Sequence, residues 1–197
     1  MFKRVIDILG SGLGLIITSP LFLFVVLKIK SNDRGPVFYM GERVGKDGKP
    51  FKMFKFRTMV VNADKMGGPS TASDDPRLTK IGLFLKKYQL DEFPQLVNVL
   101  KGEMSLVGPR PEVKMYVEMM TPEEKSAILS VRPGITDYAS LWNFHEGEIL
   151  KGSRDPEKDY REKIRPKKLE LQIKYVKEMS FFTDIKIILQ TVGKIFR

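Results

Sequence analysis

The chain has no cysteine and a single histidine, His145. The first absence excludes disulfides and thiolate-bound zinc and agrees with a reducing compartment. The second excludes a multi-histidine metal site and leaves any bound metal to oxygen ligands, which suit magnesium-like ions. There is no internal repeat and no low-complexity tract. Acidic residues are the minority, 24 against 34 Lys plus Arg for a formal charge of +10, so the partners expected are anionic: nucleic acid, phosphate-bearing substrates or an acidic membrane surface. At 197 residues the length is that of one compact domain, and a domain with an N-terminal appendage fits it equally well.

Charge is absent altogether from Ile8 to Leu27, ILGSGLGLIITSPLFLFVVL. This is about the 20 residues that cross a bilayer core as a helix, longer than a signal-peptide core, and no small-residue cleavage site follows it. Ser19 and Pro20 stand in its middle, where proline removes a helical hydrogen bond and predicts a kink or break. Lys3 and Arg4 precede the run while Lys28, Lys30 and Arg34 follow it, and both basic flanks favour the cytoplasmic side. A re-entrant helix, break and helix over residues 1–34 satisfies both flanks, whereas a straight span does not. Residues 35–197 are then a cytoplasmic domain lying at the membrane surface.

Within that domain, Gly35 to Met59 reads as a β-hairpin around the turn-rich GKDGKP, and Asn62 to Pro76 as a loop. LTKIGLFLKKYQL spaces Leu78, Ile81, Leu85 and Tyr88 as one face of a cationic amphipathic helix. After Pro166, Leu169, Ile173 and Val176 mark another helix, and Ser180 to Arg197 sets Ile185, Ile188, Leu189, Val192 and Phe196 on one side. Such helices serve equally on a core or at an anionic lipid interface. The fold class expected is α+β: the re-entrant helices, a small β-hairpin region and several amphipathic interfacial helices.

The chemistry centres on YQLDEFPQLVN, where Asp91 and Glu92 are adjacent. An N-cap on Asp91, with Glu92, Phe93 and Pro94 in the first turn of a helix through Leu100, is the structural explanation. The same placement suits a carboxylate nucleophile, which a helix dipole would keep ionised, with its neighbour as proton acceptor or metal ligand. The other acidic pair, Asp74 and Asp75, sits in a polar loop and reads as capping or solvated. Pro109 and Pro111 fix the backbone on either side of Arg110, presenting its guanidinium to a phosphate or carboxylate. Lys55 and Arg57 alternate with Phe54 and Phe56 on the expected strand; no nucleic-acid-binding signature accompanies them.

In order, FKRVIDILGS with the Ser19-Pro20 break, FKFRTM, LDEFPQLVNVLKGEMSLVGPRPE, VRPGIT and YVKEMSFFTDIKIILQT resemble the bacterial sugar transferase family, small monotopic polyprenyl phosphate phosphoglycosyl transferases. The resemblance covers nearly the whole chain. It implies that Asp91 attacks the sugar-bearing phosphate of a UDP-sugar, releasing UMP, and that polyprenyl phosphate then takes the phosphosugar. It further implies Mg2+ at the Asp91 and Glu92 dyad, a place at the cytoplasmic face of the bacterial inner membrane, and later glycosyltransferases acting on the product. Lys55, Arg57 and Arg110, with Pro109 and Pro111 flanking the last, are the expected phosphate-binding set. After VRPGIT many members read GWAQVNGR where this chain reads DYASLWNFHEGE, which leaves the sugar, His145 and a substitute role for Arg154 open. No large multi-span domain precedes the apolar run, as expected of a minimal catalytic form. A basic membrane-surface module without activity, and a glycosyltransferase releasing UDP, remain as alternatives.

Overall fold

The computed structural model describes residues 2–195. Phe196 and Arg197 of the expected C-terminal helix lie outside them. Helix α1 (Phe2–Asp33) is followed by the antiparallel hairpin β1 (Phe38–Val44) and β2 (Pro50–Phe56), paired from Phe38 with Phe56 to Val44 with Pro50. The turn expected at GKDGKP is there, with Asp47 and Gly48 in the left-handed region. Residues 62–77 form the expected loop apart from a single turn at Ala63–Lys65. Helices α2 (Lys80–Lys87) and α3 (Gln95–Lys101) come next. Then β3 (Ser105–Val107) pairs in parallel with β4 (Gly134–Thr136) across α4 (Lys114–Glu118) and α5 (Pro122–Ile128). Short helices α6 (Tyr138–Trp142), α7 (Glu146–Ile149) and α8 (Pro156–Asp159) lead through a π-helical turn, Tyr160–Ile164, into α9 (Arg165–Glu178) and α10 (Phe181–Ile195). The class is α+β, as expected.

Helix α1 is long and apolar enough to cross a membrane, and only 11% of its most apolar 18-residue window is buried, so it is not the core helix of a soluble domain. Its first half is fastened to the domain by polar side chains. Arg4 donates to the carbonyls of Val99 (2.6 Å) and Leu100 (3.0 Å) at the end of α3, and Asp7 accepts from Ser105 Oγ and the Leu106 amide, both at 2.9 Å. The second half packs Val25 and Ile29 against Phe56 and Leu85.

The expected interruption at Ser19 and Pro20 takes another form: α1 is one continuous helix through both residues. Pro20 has no N–H for the carbonyl of Ile16, four residues earlier, and Ser19 Oγ donates to that oxygen instead, at 2.8 Å. The serine hydroxyl thus supplies the hydrogen bond whose loss predicted a break.

The amphipathic helices divide their faces between core and surface. Leu85 of α2 and Ile187 of α10 are fully buried, while Leu83, Phe84, Phe182, Leu189 and Val192 are exposed. Helix α9 is a core helix: with Leu169 it buries Lys168, Gln172 and Tyr175. Gly108 and Gly134 let β3 and β4 cross closely, since a Cβ on Gly134 would stand 2.0 Å from the Gly108 amide.

Candidate active site

Asp91 and Glu92 lie on a single 3-10 turn, Leu90–Glu92, entered through Gln89 in the left-handed region. Neither caps a helix. Pro94 occupies the N-cap of α3 and no side chain bonds there, so the dipole expected to keep the acids ionised begins beyond them. What surrounds them is cationic. Glu92 accepts from Lys55 Nζ (2.9 Å) and from both terminal nitrogens of Arg110, with Nη1 at 2.7 Å from Oε2. Burial alone would raise the Glu92 carboxyl, but the Arg110 and Lys55 charges outweigh it and hold it well below the usual range.

Asp91 is buried, and its carboxylate has no hydrogen bond among the described residues. Burial pushes its carboxyl up and Glu92 adds to this, while Lys55, Lys86 and Arg110 oppose it. The two acids therefore separate in proton affinity, as expected, although burial and ion pairing cause it rather than a helix terminus.

Both acids open onto a cavity of about 1630 Å³. Lys55, Arg110, Arg43 and Lys86 all line it. Lys86 projects inward from α2, and its ammonium has no hydrogen-bond partner among the described residues. Burial lowers its proton affinity while Asp91 raises it. As one of three lysines on a cationic helix it signalled lipid binding; only its position five residues before Asp91 hinted at the site. Arg43, on β1, gave no signal in the sequence.

Arg57, expected among the phosphate ligands, lines the cavity, but its guanidinium is already engaged by the protein. Its guanidinium spans Asp33 (Nη1 to Oδ2, 2.7 Å), Pro36 O (2.7 Å) and Met59 O (3.0 Å), tying the end of α1 to the sheet. The alternation that put Lys55 and Arg57 on one face ends at Phe56, the last residue of β2. Asp75 is neither cap nor solvated: it forms an ion pair with Arg77 at 2.7 Å inside the loop. His145 is exposed at the cavity wall, and Arg154 is exposed and does not line it.

Arg110 is held from behind by α9. Lys168 pairs with Glu112 (2.7 Å), Gln172 Nε2 donates to the Arg110 carbonyl (3.2 Å) and the Tyr175 hydroxyl to the Val107 carbonyl (3.0 Å). These three α9 residues share one helical face, so a single helix fixes the segment from Val107 to Glu112, including Pro109 and Pro111, which are buried. The Tyr175 hydroxyl also donates to Asp184 of α10 (2.7 Å), which pairs with Lys3 of α1.

The bacterial sugar transferase model matches residues 1–197. The chain belongs to the bacterial sugar transferase family. This family member is 38% identical over 196 residues to a Bacillus subtilis (strain 168) protein named uncharacterized sugar transferase EpsL, covering 99% of the chain and 87% of that protein. It is 40% identical over 199 residues to the Escherichia coli (strain K12) UDP-glucose:undecaprenyl-phosphate glucose-1-phosphate transferase, covering 100% of the chain and 40% of that protein. With the Aeromonas hydrophila UDP-N-acetylgalactosamine-undecaprenyl-phosphate N-acetylgalactosaminephosphotransferase it shares 35% identity over 195 residues, 98% of the chain and 43% of that protein. The chain thus spans about two fifths of the length of the last two relatives.

Proposed function

We propose that the chain transfers a sugar phosphate from a UDP-sugar to polyprenyl phosphate, through a phosphosugar carried on Asp91, and so starts the assembly of a polysaccharide or glycoconjugate. The observation that carries this reading is a buried, unbonded carboxylate among four cations. Asp91 can reach an incoming phosphorus, and Lys55, Lys86, Arg43 and Arg110 can offset the charge of a diphosphate. An Asp91 oxygen forms a bond to the sugar-bearing phosphorus as the bond from that phosphorus to the bridging oxygen breaks, and the bridging oxygen leaves with UMP. A phosphate oxygen of the lipid then attacks the same phosphorus, giving polyprenyl diphosphate-sugar and restoring the carboxylate.

Mg2+ fits the donor set. The described residues hold no group of three or more His, Cys, Asp or Glu that could by itself cage a metal, and magnesium is commonly held by one or two carboxylates together with substrate phosphates and water. Asp91, whose carboxylate has no hydrogen bond among the described residues, and Glu92 would hold it, and when bound it would neutralise diphosphate charge.

The acceptor lipid has its own route. The cavity continues between α1 and α10, where Ile6, Gly10, Gly14, Ile188 and Val192 line it, while the outer faces of both helices expose Leu9, Leu13, Ile17, Phe182 and Leu189. Residues 1–34 acting as a monotopic anchor in the cytoplasmic leaflet of the bacterial inner membrane, with residues 35–197 on its surface, would bring a soluble nucleotide-sugar and a membrane-bound phosphate to one carboxylate. Later glycosyltransferases would extend the product. The test is the nucleotide released when the purified chain meets UDP-sugar, polyprenyl phosphate and magnesium. UMP supports the reading, UDP indicates transfer of the sugar alone, and neither indicates a membrane-surface module.

A further inference from the structure

Helices α1 and α3 run antiparallel, from Gly14 against Leu96 to Arg4 against Leu100, so the C-terminus of α3 is level with the start of α1. Three cations gather there. Arg4 spans the carbonyls of Val99 and Leu100, and Arg132 donates through Nε to the Gly102 carbonyl at 2.8 Å. Lys101, between those carbonyls in the chain, is exposed, with its ammonium 4.9 Å from the centre of the Phe54 ring. Carbonyls at a helix C-terminus hold cations in place without cancelling their charge. The nearby carboxylates are used elsewhere. Asp7, one turn along α1 from Arg4, faces inward to Ser105 and the Leu106 amide, and Glu103, next to Gly102, accepts from Asn98 Nδ2 at 2.7 Å. Lys3, one residue before Arg4, is neutralised by Asp184, whereas Arg4, Lys101 and Arg132 have no ion pair among the described residues. Both terminal nitrogens of Arg132 and Nε of Arg4 have no partner among those residues either.

We infer that Arg4, Lys101 and Arg132 bind the headgroup phosphate of an anionic phospholipid, at a lipid site separate from the cavity, which none of the three lines. Two guanidinium groups offer forked donors to phosphate oxygens, and the lysine adds a mobile charge. The rim identifies the phosphate as a lipid's. Phe2, Val5 and Leu9 on α1 and Leu100 on α3 are exposed apolar residues around the cations, and they continue into the bare outer face of α1 at Leu13, Ile16 and Ile17. Acyl chains would lie along that face while the phosphate met the cations at its water-side end. The headgroup would thus pin the start of α1 at the membrane surface whatever occupies the cavity, and the inference stands apart from the proposed reaction.

Native mass spectrometry of the full chain in an uncharged detergent, titrated with phosphatidylglycerol or phosphatidylcholine and then with inorganic phosphate as competitor, tests this. The wild type should take up one phosphatidylglycerol about tenfold more tightly than phosphatidylcholine. Lys101→Gln combined with Arg132→Gln should remove that preference; Arg4 is left in place because it fastens α1 to α3. Lys101 Nζ makes no hydrogen bond among the described residues, so Lys101→Glu should keep the thermal midpoint and abolish the preference by charge reversal alone. Lys167→Gln with Lys174→Gln removes as much charge as the first pair, from lysines matched with Glu170 and Glu178, and should leave the preference intact. Equal loss in that control would make the effect one of net charge and overturn the inference, as would a preference that survives Lys101→Glu or is absent from the wild type. Displacement of the lipid by an excess of inorganic phosphate would make the cluster a general oxyanion site and overturn the lipid assignment.

Discussion

Arg110 meets Glu92 with both terminal nitrogens, and Lys55 completes the group from β2. Glu92 is thereby committed as an anion, and Asp91, one residue earlier, is left with neither cation in hydrogen-bonding contact. Arg110→Ala would leave a buried carboxylate with Lys55 alone. It should cost about 3 kcal/mol of stability and lower turnover, whereas Arg110→Lys should recover stability before activity because it restores charge without the two-pronged contact. Thermal unfolding and initial rates on the same preparations check this; a fully active Arg110→Lys enzyme would contradict it.

Helix α2 separates two uses of lysine. Lys86, half-buried, and the exposed Lys87 both line the cavity, while the exposed Lys80 does not. Lys86→Met should reduce turnover about 100-fold with vesicle binding unchanged. Neutralising Lys80 should weaken binding to anionic vesicles and leave turnover in detergent unaltered. Co-sedimentation and a detergent-phase rate assay separate the two; a reversed pattern would contradict the assignment.

Asp33 lies beyond the apolar run and bonds to the Arg57 guanidinium, which holds its carboxyl at about 2, against an ordinary 3.8. A depressed carboxyl stabilises the fold above its unfolded value and loses that contribution as pH falls through its folded value. The Asp33 contribution is therefore complete above about pH 4 and disappears toward pH 2. Asp33→Asn should lower the unfolding midpoint at pH 7 and flatten this part of the acid limb. Parallel pH profiles for wild type and variant would rule the linkage out.

The Ser19 hydroxyl bonded to the Ile16 carbonyl shows how α1 can carry Pro20 without ending there, and both halves of α1 rest on the same domain. Single cysteines placed at Lys3 and Asn32 should both resist a membrane-impermeant thiol reagent in intact cells. Labelling of either from outside would make α1 a span.

The β-hairpin, the amphipathic helices and the Asp91, Glu92 and Arg110 constellation were legible because each rests on local pattern: alternation around GKDGKP, helical spacing, and prolines beside an arginine. The partner of Arg57 was not legible, because strand alternation gives the face of a side chain but not the partner waiting there, and Asp33 comes from the end of another element. The cavity position of Lys86 was not legible because charge on a helix shows nothing about which side packs. The α9 ladder of Lys168, Gln172 and Tyr175 went unseen, since a polar face buried against a distant strand looks like a solvated one.

The central claim is that Asp91 itself carries the phosphosugar. Incubating wild-type protein with UDP-sugar and magnesium, without lipid, and measuring peptide masses after acidic proteolysis tests it most directly. The account predicts a sugar phosphate mass on the peptide containing Asp91, localised to that residue by fragmentation, lost on adding polyprenyl phosphate and missing in Asp91→Asn. An adduct on Glu92, or one that forms equally on Asp91→Asn protein, would contradict it.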